Sequence, residues 1–212
     1  MLPVKNILCY GDSNTWGYVP GTGERFSWEQ RWPGILQRSL GKSFHVIEAG
    51  LSGRTTVFDD PGAAGCNGLT SLGTLLDSCP PLALVILMLG TNDLKHHLNV
   101  SAIETAQGIE RLVETIAMYS GSAVQHLPQI LIVSPPGIHT GSLPSGALFQ
   151  GAPEKLREFP RLFADVASNK GCHFLDAAQL VNPSPVDGVH LDEQGHALLA
   201  RAITRTLAVA LG

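Results

Sequence analysis

Five short apolar runs, Val4–Tyr10, Phe44–Ala49, Leu82–Leu89, Gln129–Ser134 and Cys172–Asp176, recur along the chain and constrain its fold more than any other feature. Most are apolar almost without interruption, whereas a strand with one wet face alternates apolar and polar residues. This pattern implies strands covered on both faces, as in a parallel sheet between two layers of helices. The longest run, Leu82–Leu89, spans eight residues, far short of the ~20 that a membrane-crossing helix needs.

Helical signals lie between the runs. From Ser101 to Tyr119, Ser101 and Glu104 form a capping box and Ile103, Ile109, Leu112 and Ile116 form an apolar stripe. From Asp192 to Leu211, Asp192 is the expected N-cap, Glu193 sits near the positive end of the dipole, and Leu199, Ile203 and Leu207 follow at i, i+4 and i+8. Weaker helices are expected over Gln30–Leu40, Leu69–Asp77 and Glu154–Asn169. The last should kink or restart at Pro160, which has no N–H to donate. Gly41 and Gly171 stand where C-terminal caps belong.

Strands alternating with helices predict an α/β fold: a three-layer α/β/α sandwich, flavodoxin-like, with a five-stranded mostly parallel sheet. The 212 residues are expected to form one domain, 1–212, which at this length can bury roughly 70% of its unfolded surface. Two long loops rich in Gly and Pro, Gly50–Gly68 and Pro135–Gly151, remain; loops of such length are usually functional. In an open α/β sheet, ligands bind beyond the carboxyl ends of the strands, and the chemically interesting residues fall there.

Charge and cysteine usage narrow the function classes. With 14 basic against 18 acidic residues and no basic run, nucleic acid is not an expected partner. Cys9, Cys66, Cys79 and Cys172 have neither C-x-x-C nor zinc-finger spacing and read as reduced thiols. Val4–Tyr10 leads directly into a turn carrying functional groups, so the N-terminus reads as part of the fold and not as a signal peptide. A cytoplasmic protein without a membrane partner is expected.

The first strand runs into Gly11-Asp12-Ser13-Asn14-Thr15-Trp16-Gly17. A serine at a strand-to-helix turn exposes its hydroxyl and turns its own N–H toward a bound carbonyl, as acyl transfer requires. An ordinary Asp-Ser turn or helix cap reads the same way. The third strand ends in Gly90-Thr91-Asn92-Asp93, where the Asn92 amide either donates to an oxyanion or caps a turn. In Gly50-Leu51-Ser52-Gly53-Arg54-Thr55-Thr56, Gly53 lets the backbone approach a ligand closely. Near the end, Asp187-Gly188-Val189-His190-Leu191-Asp192 places a carboxylate three residues before an imidazole. That spacing can fix the imidazole tautomer so that its other nitrogen faces a serine, or it can belong to a plain turn.

Together, GDSNTWG, the glycine of GLSGRTT, GTND and DGVHLD, in this order over residues 11 to 192, resemble the four blocks of the SGNH, or GDSL, hydrolases. The resemblance implies a serine esterase acting on small, acetyl-like acyl esters. Ser13 would be the nucleophile, His190 the general base and Asp187 its orienting partner. Ser13 N–H, Gly53 N–H and the Asn92 side chain would form the oxyanion hole. The forms GDSNTWG and GLSGRTT are similar to the arylesterase and acyltransferase branch, which implies Trp16 in the substrate pocket, a homo-oligomer, and either acyl transfer to an alcohol or carbohydrate O-deacetylation as alternatives to hydrolysis. No metal and no cofactor is implied, and the partner is a small-molecule ester. A non-catalytic flavodoxin-like binding module and metal-assisted hydrolysis are the competing classes.

Other polar residues carry plainer expectations. His96 and His97 are adjacent and cannot both face one ion on a regular element, so they read as a solvated pair. His196 is expected on the surface of the C-terminal helix, Asp12 and Asp93 as organisers of their turns, and His139 as a loop residue.

Overall fold

The computed structural model describes residues 4–121, 127–140 and 144–210; Leu211 and the 141–143 part of the Pro135–Gly151 loop lie outside the described residues. Five strands, β1 (Lys5–Gly11), β2 (Phe44–Gly50), β3 (Leu82–Met88), β4 (Gln129–Ser134) and β5 (His173–Asp176), match the five apolar runs to within one residue at every end. They form one sheet of order β2-β1-β3-β4-β5, and every pairing is parallel. This is the flavodoxin-like order, in which the chain switches direction across the sheet next to β1.

Both faces of the sheet are covered. Leu8 and Tyr10 of β1, Val85 and Leu87 of β3 and Ile132 of β4 join one buried cluster, while their neighbours Ile7, Cys9, Leu84, Ile86, Leu131 and Val133 join another. The first cluster packs against α3 (Gly68–Ser78), α4 (Ala102–Gly121) and α6 (Phe159–Lys170), the second against α2 (Trp32–Leu40) and α7 (Glu193–Ala210). The period-2 geometry of a strand thus explains why the inner runs are apolar without alternation. The edge strands β2 and β5 are only half-buried.

The helix signals act as expected except at Ile103, which is exposed: the buried stripe of α4 runs through Ala102, Ala106, Ile109, Leu112 and Ile116, and Ile103, one position round from Ala102, faces outward. The Ser101 N–H donates to Glu104 Oε2 at 2.8 Å, and the Glu104 N–H donates to Ser101 Oγ at 3.2 Å, completing the capping box of α4. Asp192 Oδ1 accepts from the Gly195 N–H at 2.7 Å at the start of α7. The segment around Pro160 is two helices, α5 (Ala152–Leu156) and α6, with Pro160 in the first turn of the second, where its missing N–H leaves no bond unmade. Gly41 and Gly171 fall at the C-caps of α2 and α6. Among the described residues no helix is long and apolar enough to cross a membrane.

The expectation for His196 is overturned. His196 lies in α7 but is fully buried, not on its surface. It stands three residues before Leu199, hence on the apolar stripe of the helix, and it meets the other layer on α2. Its Nδ1 accepts the Trp32 N–H at 3.3 Å, and Phe26 abuts its ring edge-on at 5.2 Å. Burial pushes its pKa down to about 4, from an ordinary 6.5.

A depressed histidine pKa means that only the unfolded chain takes up this proton as the pH falls below 6.5, so the folded state loses stability until pH reaches about 4. The expected loss from this residue is on the order of 3 kcal/mol. His196→Asn keeps an acceptor for the Trp32 N–H and does not titrate. Urea unfolding of both proteins at pH 7 and pH 4 should show the wild type losing more stability than the variant by about that amount; equal losses would exclude the assignment.

Candidate active site

β1 delivers its last residue, Gly11, into a one-turn helix, α1 (Ser13–Trp16). Asp12 caps it, its Oδ1 accepting the Asn14 N–H at 2.9 Å, and this turn presents Ser13 at the carboxyl edge of the sheet. Gly50, at the end of β2, is required by close approach: a Cβ there would stand 2.2 Å from the Trp16 backbone nitrogen. The serine turn therefore rests directly on the neighbouring strand end.

The segment before α7 brings the imidazole to this turn across 177 positions of sequence. His190 Nε2 lies 2.9 Å from Ser13 Oγ, and His190 Nδ1 lies 2.7 Å from Asp187 Oδ2. The other oxygen, Asp187 Oδ1, accepts the N–H groups of Val189 and His190, each at 3.0 Å. Burial pushes the Asp187 carboxyl up, but the hydrogen bonds from His190 and Val189 outweigh it and hold the pKa below the ordinary value. Tyr18 stacks on the His190 ring at 4.1 Å, fixing its plane from the side.

Asn14 ties the two halves together. Its Nδ2 donates to the Val189 carbonyl at 3.3 Å and its Oδ1 accepts the Leu191 N–H at 2.9 Å, so both backbone neighbours of His190 are bonded to the residue after Ser13. On the outer side, Ser145 Oγ donates to the Asp187 carbonyl at 2.5 Å and the His139 N–H to the Gly188 carbonyl at 2.8 Å. The His139 contribution is thus a backbone one.

The second group of donors comes from the loops after β2 and β3. Gly53 has φ +86°, a left-handed conformation that a side chain would strain. Asn92 Nδ2 donates to the Arg54 carbonyl at 3.1 Å, which orients the amide and leaves its second hydrogen for another acceptor. Next to it the buried Asp93 carboxylate accepts the Thr56 N–H, at 3.2 and 3.1 Å to its two oxygens, and the Thr56 hydroxyl. Burial drives the Asp93 pKa up to about 7, against the lowering effect of these bonds. The Arg54 guanidinium donates to the carbonyls of Gly11 and Ala49 and lies 4.2 Å over the Tyr10 ring. Three strand ends are joined by these contacts.

Ser13, Gly53, Asn92, Asp187 and His190 all line one cavity of about 480 Å³. Its further walls are Tyr18, Gly21, Ser52, Lys95, Ser145, Leu148, Phe149, Val186 and Val189. Trp16 is not among them. Its ring lies 6.4 Å from Tyr18 and under the Arg25 guanidinium at 5.2 Å, and Tyr18 occupies the wall instead. His96 and His97 are exposed, and His97 Nε2 is 2.9 Å from Asp60 Oδ1. Among the described residues no group of three or more His, Cys, Asp or Glu side chains could hold a metal ion.

Sequence reasoning passed over Asn14, Tyr18 and Lys95. Asn14 lies inside a block already singled out, and a polar amide beside the serine is a signal of sorts. Tyr18 and Lys95 have no local signal, because each gains its place only through packing.

The chain is similar to known proteins over nearly its whole length. The GDSL-like Lipase/Acylhydrolase family matches residues 9–198. The structure of the native aryl esterase of M. smegmatis superposes with a TM-score of 0.92 at 37% identity, covering 97% of this chain and 99% of that one. A carbohydrate acetylesterase family member from Sinorhizobium meliloti superposes with a TM-score of 0.94 at 39% identity, covering 99% of this chain and 100% of that one. No curated protein sequence matches the chain at a significant level. The chain belongs to the GDSL-like lipase/acylhydrolase family of ester hydrolases.

Proposed function

We propose that the protein hydrolyses small, acetyl-like carboxylic esters through an acyl-enzyme on Ser13. The observation that carries this reading is the continuous hydrogen-bonded line Ser13–His190–Asp187, at 2.9 and 2.7 Å, opening onto a cavity of about 480 Å³. His190 Nε2 accepts the Ser13 proton as Oγ attacks the ester carbonyl. The Asp187 carboxylate stabilises the resulting imidazolium and holds its other N–H. The carbonyl oxygen, now an oxyanion, takes hydrogen bonds from Ser13 N–H, Gly53 N–H and Asn92 Nδ2. Collapse expels the alcohol, which receives its proton from His190. A water molecule, deprotonated by His190, then attacks the acyl-enzyme and frees the acid and Ser13.

The cavity falls in the range of small-molecule sites, which suits short acyl groups. An aryl esterase and a carbohydrate acetylesterase are both similar to this chain, so aryl acetates and acetylated sugars are the first substrates to assay. Acyl transfer to an alcohol is the second reading, favoured by the apolar walls Leu148, Phe149, Val186 and Val189, which hold an alcohol better than water. A homo-oligomer is supported by the exposed apolar side chains Leu148 and Val186 on those walls. A cytoplasmic site of action is supported by four cysteines that are all free.

With 4-nitrophenyl acetate, Ser13→Ala should reduce kcat at least ~10⁴-fold, and Asp187→Asn by about 10⁴-fold, because the imidazole loses its tautomer and its stabilising charge. Asn92→Ala should lower kcat by ~10²–10³ with KM little changed, since its bond forms in the transition state. An Asn92→Ala enzyme with wild-type kcat would remove the amide from the oxyanion hole. Hydrolysis in added alcohol, followed by chromatography of the products, separates transfer from hydrolysis: a new ester is expected only if transfer competes with water.

A further inference from the structure

Lys95 lies on the turn after β3, three residues beyond Asn92, and lines the same cavity. Only 11% of its side chain is exposed. Its ammonium donates to Asp60 Oδ2 at 2.7 Å, and no other acceptor for it is found among the described residues. An ammonium carries three donors, so two have no protein acceptor among the described residues.

Asp60 does not need this lysine for its own hydrogen bonding. It also accepts the Gly62 N–H at 2.8 Å and faces His97 Nε2 at 2.9 Å. Burial pushes its carboxyl up, yet Lys95, His97 and the Gly62 N–H bring it down to about 2. The carboxylate is therefore charged and cancels the charge of Lys95 locally. Lys95, which lines the cavity while Asp60 does not, thus brings to it a donor with little net charge. Such a donor suits an uncharged oxygen better than a second carboxylate, which would stand close to Asp60. Leu148, Phe149, Val186 and Val189 are apolar walls of the same cavity.

We infer that Lys95 is a specificity-determining residue that donates to a hydroxyl or ether oxygen carried by the ester outside its reacting carboxyl group. The substrate class is thereby narrowed to oxygenated esters, in which a hydroxylated alcohol part or a hydroxylated acyl part supplies that oxygen. This inference rests on the esterase reading of the cavity.

The test compares kcat/KM on propyl acetate, glycerol 1-acetate and propyl hydroxyacetate for the wild type, Lys95→Met and Lys95→Arg. Methionine keeps the length and removes the donors; arginine restores donors. For Lys95→Met, the ratio of one oxygenated ester to propyl acetate should fall roughly 10- to 100-fold, the scale of a hydrogen bond from a charged group. Lys95→Arg should recover part of it. A fall confined to glycerol 1-acetate places the oxygen in the alcohol part, and one confined to propyl hydroxyacetate places it in the acyl part. Ratios unchanged for both oxygenated esters, or a wild type that prefers propyl acetate to both, would overturn the inference while leaving the esterase reading intact. A wild type inactive on all three would overturn that reading itself. If Lys95→Met fails to fold, Lys95→Met with Asp60→Asn removes the uncompensated carboxylate and gives the same readout.

Discussion

Parallel pairing of β1 with both β2 and β3 is the constraint on which the site depends. Strands that run parallel end on one edge of the sheet, so the turns after β1, β2 and β3 are neighbours in space although they are far apart in the chain. Gly11 is in register with Gly50 of β2 and Met88 of β3. The serine, the Gly53 loop and the Asn92 turn therefore start from adjacent points. Antiparallel pairing at either contact would send one of these groups to the opposite end of the molecule.

Proximity of strand ends does not by itself set hydrogen-bonding distances, and the remaining precision comes from buried polar contacts between the loops. Arg54 holds the ends of β1 and β2, Asp93 holds Thr56, and Asn14 holds both neighbours of His190. Burying such groups is unfavourable unless each finds partners. The raised pKa values of Asp12 and Asp93, both caused first by burial, record that cost. The carboxylates are retained where they fix turns whose neighbours are Ser13 and Asn92, so stability is yielded for preorganised geometry.

The sequence made the sheet legible because buried parallel strands leave an unmistakable mark, runs such as Leu82–Leu89 with no polar alternation. It made the candidate site residues legible because turn chemistry at strand ends is local: Asp12 caps the residue pair beside it, and Asp187 is near enough to His190 to bond both its ring and its backbone. What escaped is what depends on side chains meeting across layers. Tyr18 reaches the imidazole only because the chain after α1 folds back over it. Lys95 carries no mark of its own until Asp60, from a different loop, is beside it. His196 was misplaced because its polarity outweighed its position: it shares the stripe of Leu199 and Ile203, and that spacing, followed strictly, puts it inside. Resemblance implies Trp16 in the pocket, whereas its ring packs with Arg25 and Tyr18 supplies the wall.

In this mechanism the Ser13 hydroxyl and three donors from three strand ends meet at one point of the cavity. The crystal structure of the protein after reaction with a small organophosphonate, whose tetrahedral phosphorus stands in for the tetrahedral intermediate, tests this meeting point. Phosphorus is expected on Ser13 Oγ, with its free oxygen about 2.7–3.1 Å from Ser13 N, Gly53 N and Asn92 Nδ2. Phosphorus attached to another residue, or a free oxygen turned away from Gly53 and Asn92, would contradict it.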